Sequence, residues 1–136
     1  MKYMLIMKDT PEAVEAAKDV PFDEVLEAMG KYNDSLVKAG VLLAAEGLAG
    51  TDEGVLVDFD SEPPVVTDGP FAEVKELFNG FWIIQTSSKE EAVEWAKRCP
   101  LGPGSWLEVR RVHEMEDFDQ DNENVQREAA WRAAAT

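Results

Sequence analysis

Phe81-Trp82-Ile83-Ile84 is the stretch that most limits the folds open to this chain. Four consecutive residues that are aromatic or β-branched read as a strand, and in a strand neighbouring side chains point to opposite faces. Apolar groups therefore stand on both faces. KYMLIMK, residues 2–8, reads as a second strand of the same kind. A sheet built on such strands needs cover on both sides.

The rest of the chain supplies cover for one side. Phe22, Val25, Leu26, Met29, Tyr32 and Leu36 form one apolar stripe at helical period, with Asp23, Glu24 and Glu27 near its start, Lys38 near its end, and Gly40 as the expected C′ residue. Thr10-Pro11 reads as an N-cap and first helical position ahead of PEAVEAA. Ser87 and Ser88, each with a Glu three residues on, open a second main helix that turns Ala92, Val93, Trp95 and Ala96 inward and ends at Cys99-Pro100. VLLAAEGL, then Val55, Val57 and Phe59, then PVVT, and finally SWLEVRR read as further strands; the alternation at 55–59 predicts a half-buried one. The order β, α, β, β(β), β, α, β is that of an α+β, ferredoxin-like sandwich, a mostly antiparallel sheet with two main helices on one face. The second face is then left to another copy of the chain, and a homodimer packed sheet to sheet is the expected assembly.

Bulk properties narrow the partners. At 136 residues the chain fits one domain. Residues 1–112 are expected to form it, with 113–136 an acidic extension that ends in a helix built on Val125, Ala129 and Ala133. No apolar run approaches the ~20 residues that span a bilayer, and the first apolar run is too short for a signal peptide. The single Cys99 excludes an internal disulfide, which makes the cytoplasm the expected compartment. With 13 Lys and Arg against 28 Asp and Glu, net charge −15, neither nucleic acid nor an anionic membrane surface is an expected partner.

Several separated motifs carry a resemblance. "TDGPFAEVKE" (67–76), "NGFWII" (79–84), "EEAVEWAKRCP" (90–100), "WLEVRRV" (106–112) and "AGVLLAAEGL" (39–48) together resemble the DGPF-domain branch of the YCII-related family over about residues 2–112. The resemblance implies a ferredoxin-like fold that forms a dimeric α+β barrel. It also implies, by family association alone, a link to sigma factors. Other YCII-related members carry a His on the first main helix and an Asp just before a Pro after the second. Here residues 22–39 contain no His and Cys99 precedes Pro100, so the resemblance implies no such dyad.

Candidate site residues follow from chemistry and alternation. Asp68-Gly69-Pro70 is turn-forming: the Asp carboxylate can accept from nearby backbone N–H groups, Gly69 can adopt positive φ, and Phe71 can anchor the bend. The other reading makes Asp68, Glu73 and Lys75 the rim of a pocket. In the last strand Glu108 and Arg110 share a face with Trp106, opposite to Leu107 and Val109. They form either an ion pair at a dimer interface or, through Arg110, a bidentate site for a ligand carboxylate or phosphate. Tyr32 lies on the apolar stripe, as core or as a pocket hydroxyl. His113 is the chain's one imidazole, and Cys99 reads as structural. Asp117, Asp119, Asp121 and Glu128 stand at positions 1, 3, 5 and 12 of a calcium loop, yet position 6 is Asn122 where Gly is needed, and an acidic lead-in to a helix accounts for the same residues. No phosphate loop, dinucleotide fingerprint, nucleophile elbow or other metal cluster is legible, so no cofactor or metal is expected. The functional expectation is a small polar or anionic metabolite bound between sheet and loops, any catalysis being acid–base work by carboxylates. The alternative is a non-enzymatic accessory protein associated with transcription, with its acidic tail on a basic partner.

Overall fold

The computed structural model of the chain describes residues 1–70 and 76–135. Six strands and four helices follow in the order β1 (Lys2–Asp9), α1 (Pro11–Ala17), α2 (Phe22–Lys38), β2 (Leu42–Gly47), β3 (Val55–Asp58), β4 (Val65–Asp68), β5 (Leu77–Gln85), α3 (Lys89–Lys97), β6 (Ser105–Arg111) and α4 (Glu123–Ala134). The main sheet has the order β2-β5-β1-β6, and every neighbouring pair is antiparallel. Two β-α-β units interlocked in this way make the ferredoxin-like α+β fold. β3 and β4 form a separate two-stranded hairpin between β2 and β5.

Local chemistry sets the element ends. Thr10 caps α1, its hydroxyl accepting from the Ala13 N–H at 3.1 Å. Helix α2 stops in a Schellman arrangement: Gly40, at φ 72°, donates to the Val37 carbonyl, and Val41 donates to that of Leu36. Ser88 caps α3 through the Glu91 N–H, while the Glu91 carboxylate reaches back to the N–H and hydroxyl of Ser87.

Register places the side chains. Leu5 lies opposite Trp82 and Val109, and Tyr3 opposite Ile84, so these residues share a face. Tyr32 and Leu36 from α2 and Ala92 from α3 close over that face, and Leu5, Leu36 and Ile84 are fully buried. Trp82 donates its indole N–H to Asn33 Oδ1 at 2.7 Å, and its ring meets that of Tyr32 edge to face, which ties sheet to helix in one register.

Two expectations fail. The apolar stripe of α2 is not buried along its length: Met29 packs against the core, but Phe22 is 71% exposed and Leu26 53%. β3 is not half-buried either, since Val55, Leu56 and Val57 are all exposed, as are Val65 and Val66 across from them. Both faces of the hairpin meet solvent.

Candidate functional site

The face of the sheet away from α2 and α3 carries Met4, Ile6 and Lys8 from β1, Phe81 and Ile83 from β5, Ala44 and Glu46 from β2, and Trp106, Glu108 and Arg110 from β6. A bulge in β5 opposite Met7/Lys8 adds one residue, so that Phe78 joins Phe81 on this side; their rings lie 6.5 Å apart. Gly80 sits at that bulge because a Cβ there would stand 2.9 Å from the Glu46 carbonyl. On this face Ile6 is buried, while Met4, Phe81 and Ile83 are partly exposed.

A charged cluster stands at one end of it. Lys8 Nζ donates to Glu108 Oε1 at 2.7 Å and lies 3.4 Å from Glu76 Oε2; Arg110 Nε lies 3.4 Å from the other Glu108 oxygen. The Lys8 side chain is 22% exposed and Arg110 71%, so the lysine is the sheltered member and the guanidinium mostly faces water. The hydrogen bond to Glu108 raises the Lys8 pKa, and the same bond lowers that of Glu108. Both groups are therefore held in their charged forms at neutral pH. A carboxylate depressed in this way is a poor base, and a lysine raised in this way is a poor one too. The cluster is equipped to recognise a polar group more than to move a proton.

The residues singled out from sequence divide. Glu108 and Arg110 lie on the open face beside Trp106, with Leu107 and Val109 turned to the helices, as alternation predicts. Tyr32 is core: it is 5% exposed, and its hydroxyl donates to the Trp95 carbonyl at 2.8 Å. Burial raises its pKa. It lies on the opposite side of the sheet from Glu108. Asp68 ends β4 on the exposed hairpin. Lys75, with Phe71 and Glu73, lies outside the described residues. Sequence reading missed Glu76 and Phe78 and, more consequentially, Lys8. Its parity with Met4 and Ile6 is the available signal, but a lysine at a strand end reads as solubility.

The Asp68-Gly69-Pro70 turn is held differently from expectation. The Gly69 N–H donates to the Gly54 carbonyl at 2.8 Å, not to the Asp68 carboxylate. Positive φ belongs to Gly40 and Gly104, not to Gly69. Glycine is needed at 69 because a Cβ there would stand 1.8 Å from the Thr51 carbonyl oxygen.

Elsewhere, a groove of about 280 Å³ runs between α3 and β6, lined by Val93, Ala96, Cys99, Leu101, Leu107 and Val109 among others. Burial pushes the Cys99 thiol up to about 12, which removes it as a nucleophile. Three of the four tail carboxylates at the calcium-loop positions are engaged separately. Asp117 accepts from Arg111 Nη1 at 2.7 Å and lies 3.3 Å from His113 Nδ1, Asp119 accepts from the Asp121 N–H, and Glu128 pairs with Arg132 within α4. The bond from Arg111, then that from the Glu114 N–H, bring Asp117 down to about 2. No group of three or more metal-ligating side chains occurs among the described residues. Nor is any helix among them long and apolar enough to cross a membrane.

The YCII-related domain model matches residues 1–116. The chain belongs to the YCII-related family. An uncharacterized protein from Rhizobium meliloti (strain 1021) is 32% identical over 87 residues, 63% of this chain and 70% of that one. Among solved structures, 5-chloro-2-hydroxyhydroquinone dehydrochlorinase from Burkholderia phenoliruptrix AC1100, in complex with 2,5-dihydroxybenzoquinone, covers 88% of this chain and 100% of its own at 15% identity and a TM-score of 0.44. A likeness that distant bears on neither activity nor ligand.

Proposed function

We propose that this YCII-related protein binds a small polar or anionic metabolite on the open face of its sheet, with a second copy of the chain covering that face. The observation that carries the reading is the sheltered Lys8–Glu108 pair, with Glu76 alongside, set at the edge of an apolar floor of Met4, Ile6, Phe81 and Ile83. Apolar area with a few convergent polar groups is the usual composition of a small-molecule site. Phe78, Phe81 and Trp106 would grip a flat or aliphatic body. The guanidinium of Arg110 has donors beyond the one directed at Glu108 and suits a carboxylate or phosphate.

Charge supports a second copy as the cover. The chain carries −15, yet on the open face Lys2, Lys8 and Arg110 stand against Glu46, Glu76 and Glu108. Among the described residues three cations balance three carboxylates there, so two copies can meet without the repulsion that the rest of the surface imposes. A thermal-shift series with small carboxylates, organic phosphates and polar aromatics, run on the wild type and on Lys8→Gln, tests the reading. Compounds that stabilise the wild type and lose that effect in a folded Lys8→Gln support it. A wild type that responds to none of the three classes sinks it.

A further inference from the structure

Lys8 makes one tight contact and one loose one. Its Nζ donates to Glu108 Oε1 at 2.7 Å but only approaches Glu76 Oε2, at 3.4 Å. The Glu108 side chain is 35% exposed and that of Glu76 57%. Resting on the ligand reading above, we infer that Glu76 holds the place of the ligand's own carboxylate on Lys8. The site thereby selects an apolar monocarboxylic acid over a phosphate ester of the same body.

The two glutamates are held in different ways. Glu108 stands within β6, while Glu76 lies just before β5, on the other side of β1. The Lys8 pKa is raised chiefly by the hydrogen bond to Glu108, with Glu76 adding less. An ammonium has three donors, so the bond to Glu108 leaves others for a second acceptor. An exposed ion pair with a long contact contributes little, and a rotation of the Glu76 side chain is enough to open it. An incoming carboxylate then meets the same lysine without disturbing Glu108.

Register sets what surrounds that place. Lys8 lies opposite Trp106 on β6 and opposite Phe78 on β5, and the next residues along the open face are Ile6 and Phe81. A carboxylate bound to Lys8 therefore carries its body onto rings and an aliphatic floor, which favours an apolar body.

Charge selects the head group. Within the cluster Lys8 and Arg110 balance Glu76 and Glu108. With Glu76 turned to solvent, two cations face one carboxylate and a single positive charge is left. A monoanion neutralises it. A phosphate ester carries roughly −1.5 to −2 at pH 7 and sets surplus negative charge beside Glu108. Glu108 stays ionised there, because the bond from Lys8 lowers its pKa.

The test is titration calorimetry with two matched pairs, hexanoate against hexyl phosphate and benzoate against phenyl phosphate. It is run on the wild type, Glu76→Gln, Glu108→Gln and Lys8→Gln, each checked for folding by circular dichroism. Glu76→Gln should bind the carboxylates about two- to fivefold tighter, since the internal competitor is gone. Glu108→Gln keeps an acceptor for Lys8 but loses its charge, so preference should move toward the phosphates by about threefold or more. Lys8→Gln should bind neither. In carboxyl NMR of the wild type, saturating hexanoate should bring the Glu76 resonance to its position in Lys8→Gln, where it has no lysine to meet. Unchanged affinity in Glu76→Gln, or a Glu76 resonance that ignores a bound carboxylate, overturns the stand-in and leaves the site standing. A wild type that binds the phosphates as tightly as the carboxylates overturns the selectivity. If neither the wild type nor Glu76→Gln binds any of the four compounds, the inference falls, and the thermal-shift series decides whether the wider ligand reading falls with it.

Discussion

Replacing Tyr32 by phenylalanine separates a core residue from a site residue. The hydroxyl makes one hydrogen bond, 2.8 Å to the Trp95 carbonyl, and that carbonyl also accepts from the Arg98 N–H at 3.1 Å. The acceptor therefore keeps a partner in Tyr32→Phe, and the ring keeps its edge-to-face contact with Trp82. The cost should fall near the lower end for a single hydrogen bond, about 0.5–1 kcal/mol. For a chain of 136 residues this lowers Tm by roughly 2–3 °C. Tyr32→Ala removes the buried ring and should cost about 3–5 kcal/mol. Urea denaturation at a fixed protein concentration measures both. In the thermal-shift series Tyr32→Phe should respond to compounds as the wild type does, because the hydroxyl lies on the other side of the sheet from Lys8. A Phe variant that loses more than about 3 kcal/mol, or keeps its stability and loses the ligand response, would refute this placement.

Three further outcomes are expected. Gly69→Ala drives a methyl into the Thr51 carbonyl, so amide exchange at Gly69 and along β3–β4 should accelerate by at least an order of magnitude while the main sheet keeps its protection; unchanged hairpin exchange would contradict the steric account. The Asp117 carboxyl is held at about 2 against an ordinary 3.8, a depressed acid, so its contribution is complete above about pH 4 and disappears as pH falls toward 2. Carboxyl NMR should show this low midpoint and its return toward 3.8 in Arg111→Ala, and a normal midpoint in the wild type would count against the Arg111 bond. Cys99, pushed up to about 12, has roughly one thiolate in ten thousand molecules at pH 8, so iodoacetamide should label it far more slowly than free cysteine; labelling at the free rate would show the thiol is not shielded.

Much of the fold is legible in the sequence because its signals are local. Apolar spacing locates α2, cap residues bound α1 and α3, and parity in β6 separates Glu108 and Arg110 from Leu107 and Val109. The failures share one cause. Periodicity reports which residues share a face, but not what lies opposite that face. Val55, Val57 and Phe59 alternate like a half-buried strand, and Phe22 and Leu26 continue a helical stripe, yet all five are exposed. Lys8 escapes notice for a related reason: its meaning depends on Glu108, 100 residues away in sequence, and on Glu76. At Gly69 the expected residue type is right for the wrong cause, since the close approach of Thr51 is a tertiary fact.

That close approach also changes what the most recognisable segment of the chain can tell. A glycine required because a carbonyl oxygen occupies the space of its missing side chain will persist in any relative that keeps the turn, whatever that relative binds. Variation among relatives at position 69 would then track the loss of the hairpin's anchorage. Changes of specificity would be written at Lys8, Glu76, Phe78 and Trp106, positions with no backbone reason to stay as they are.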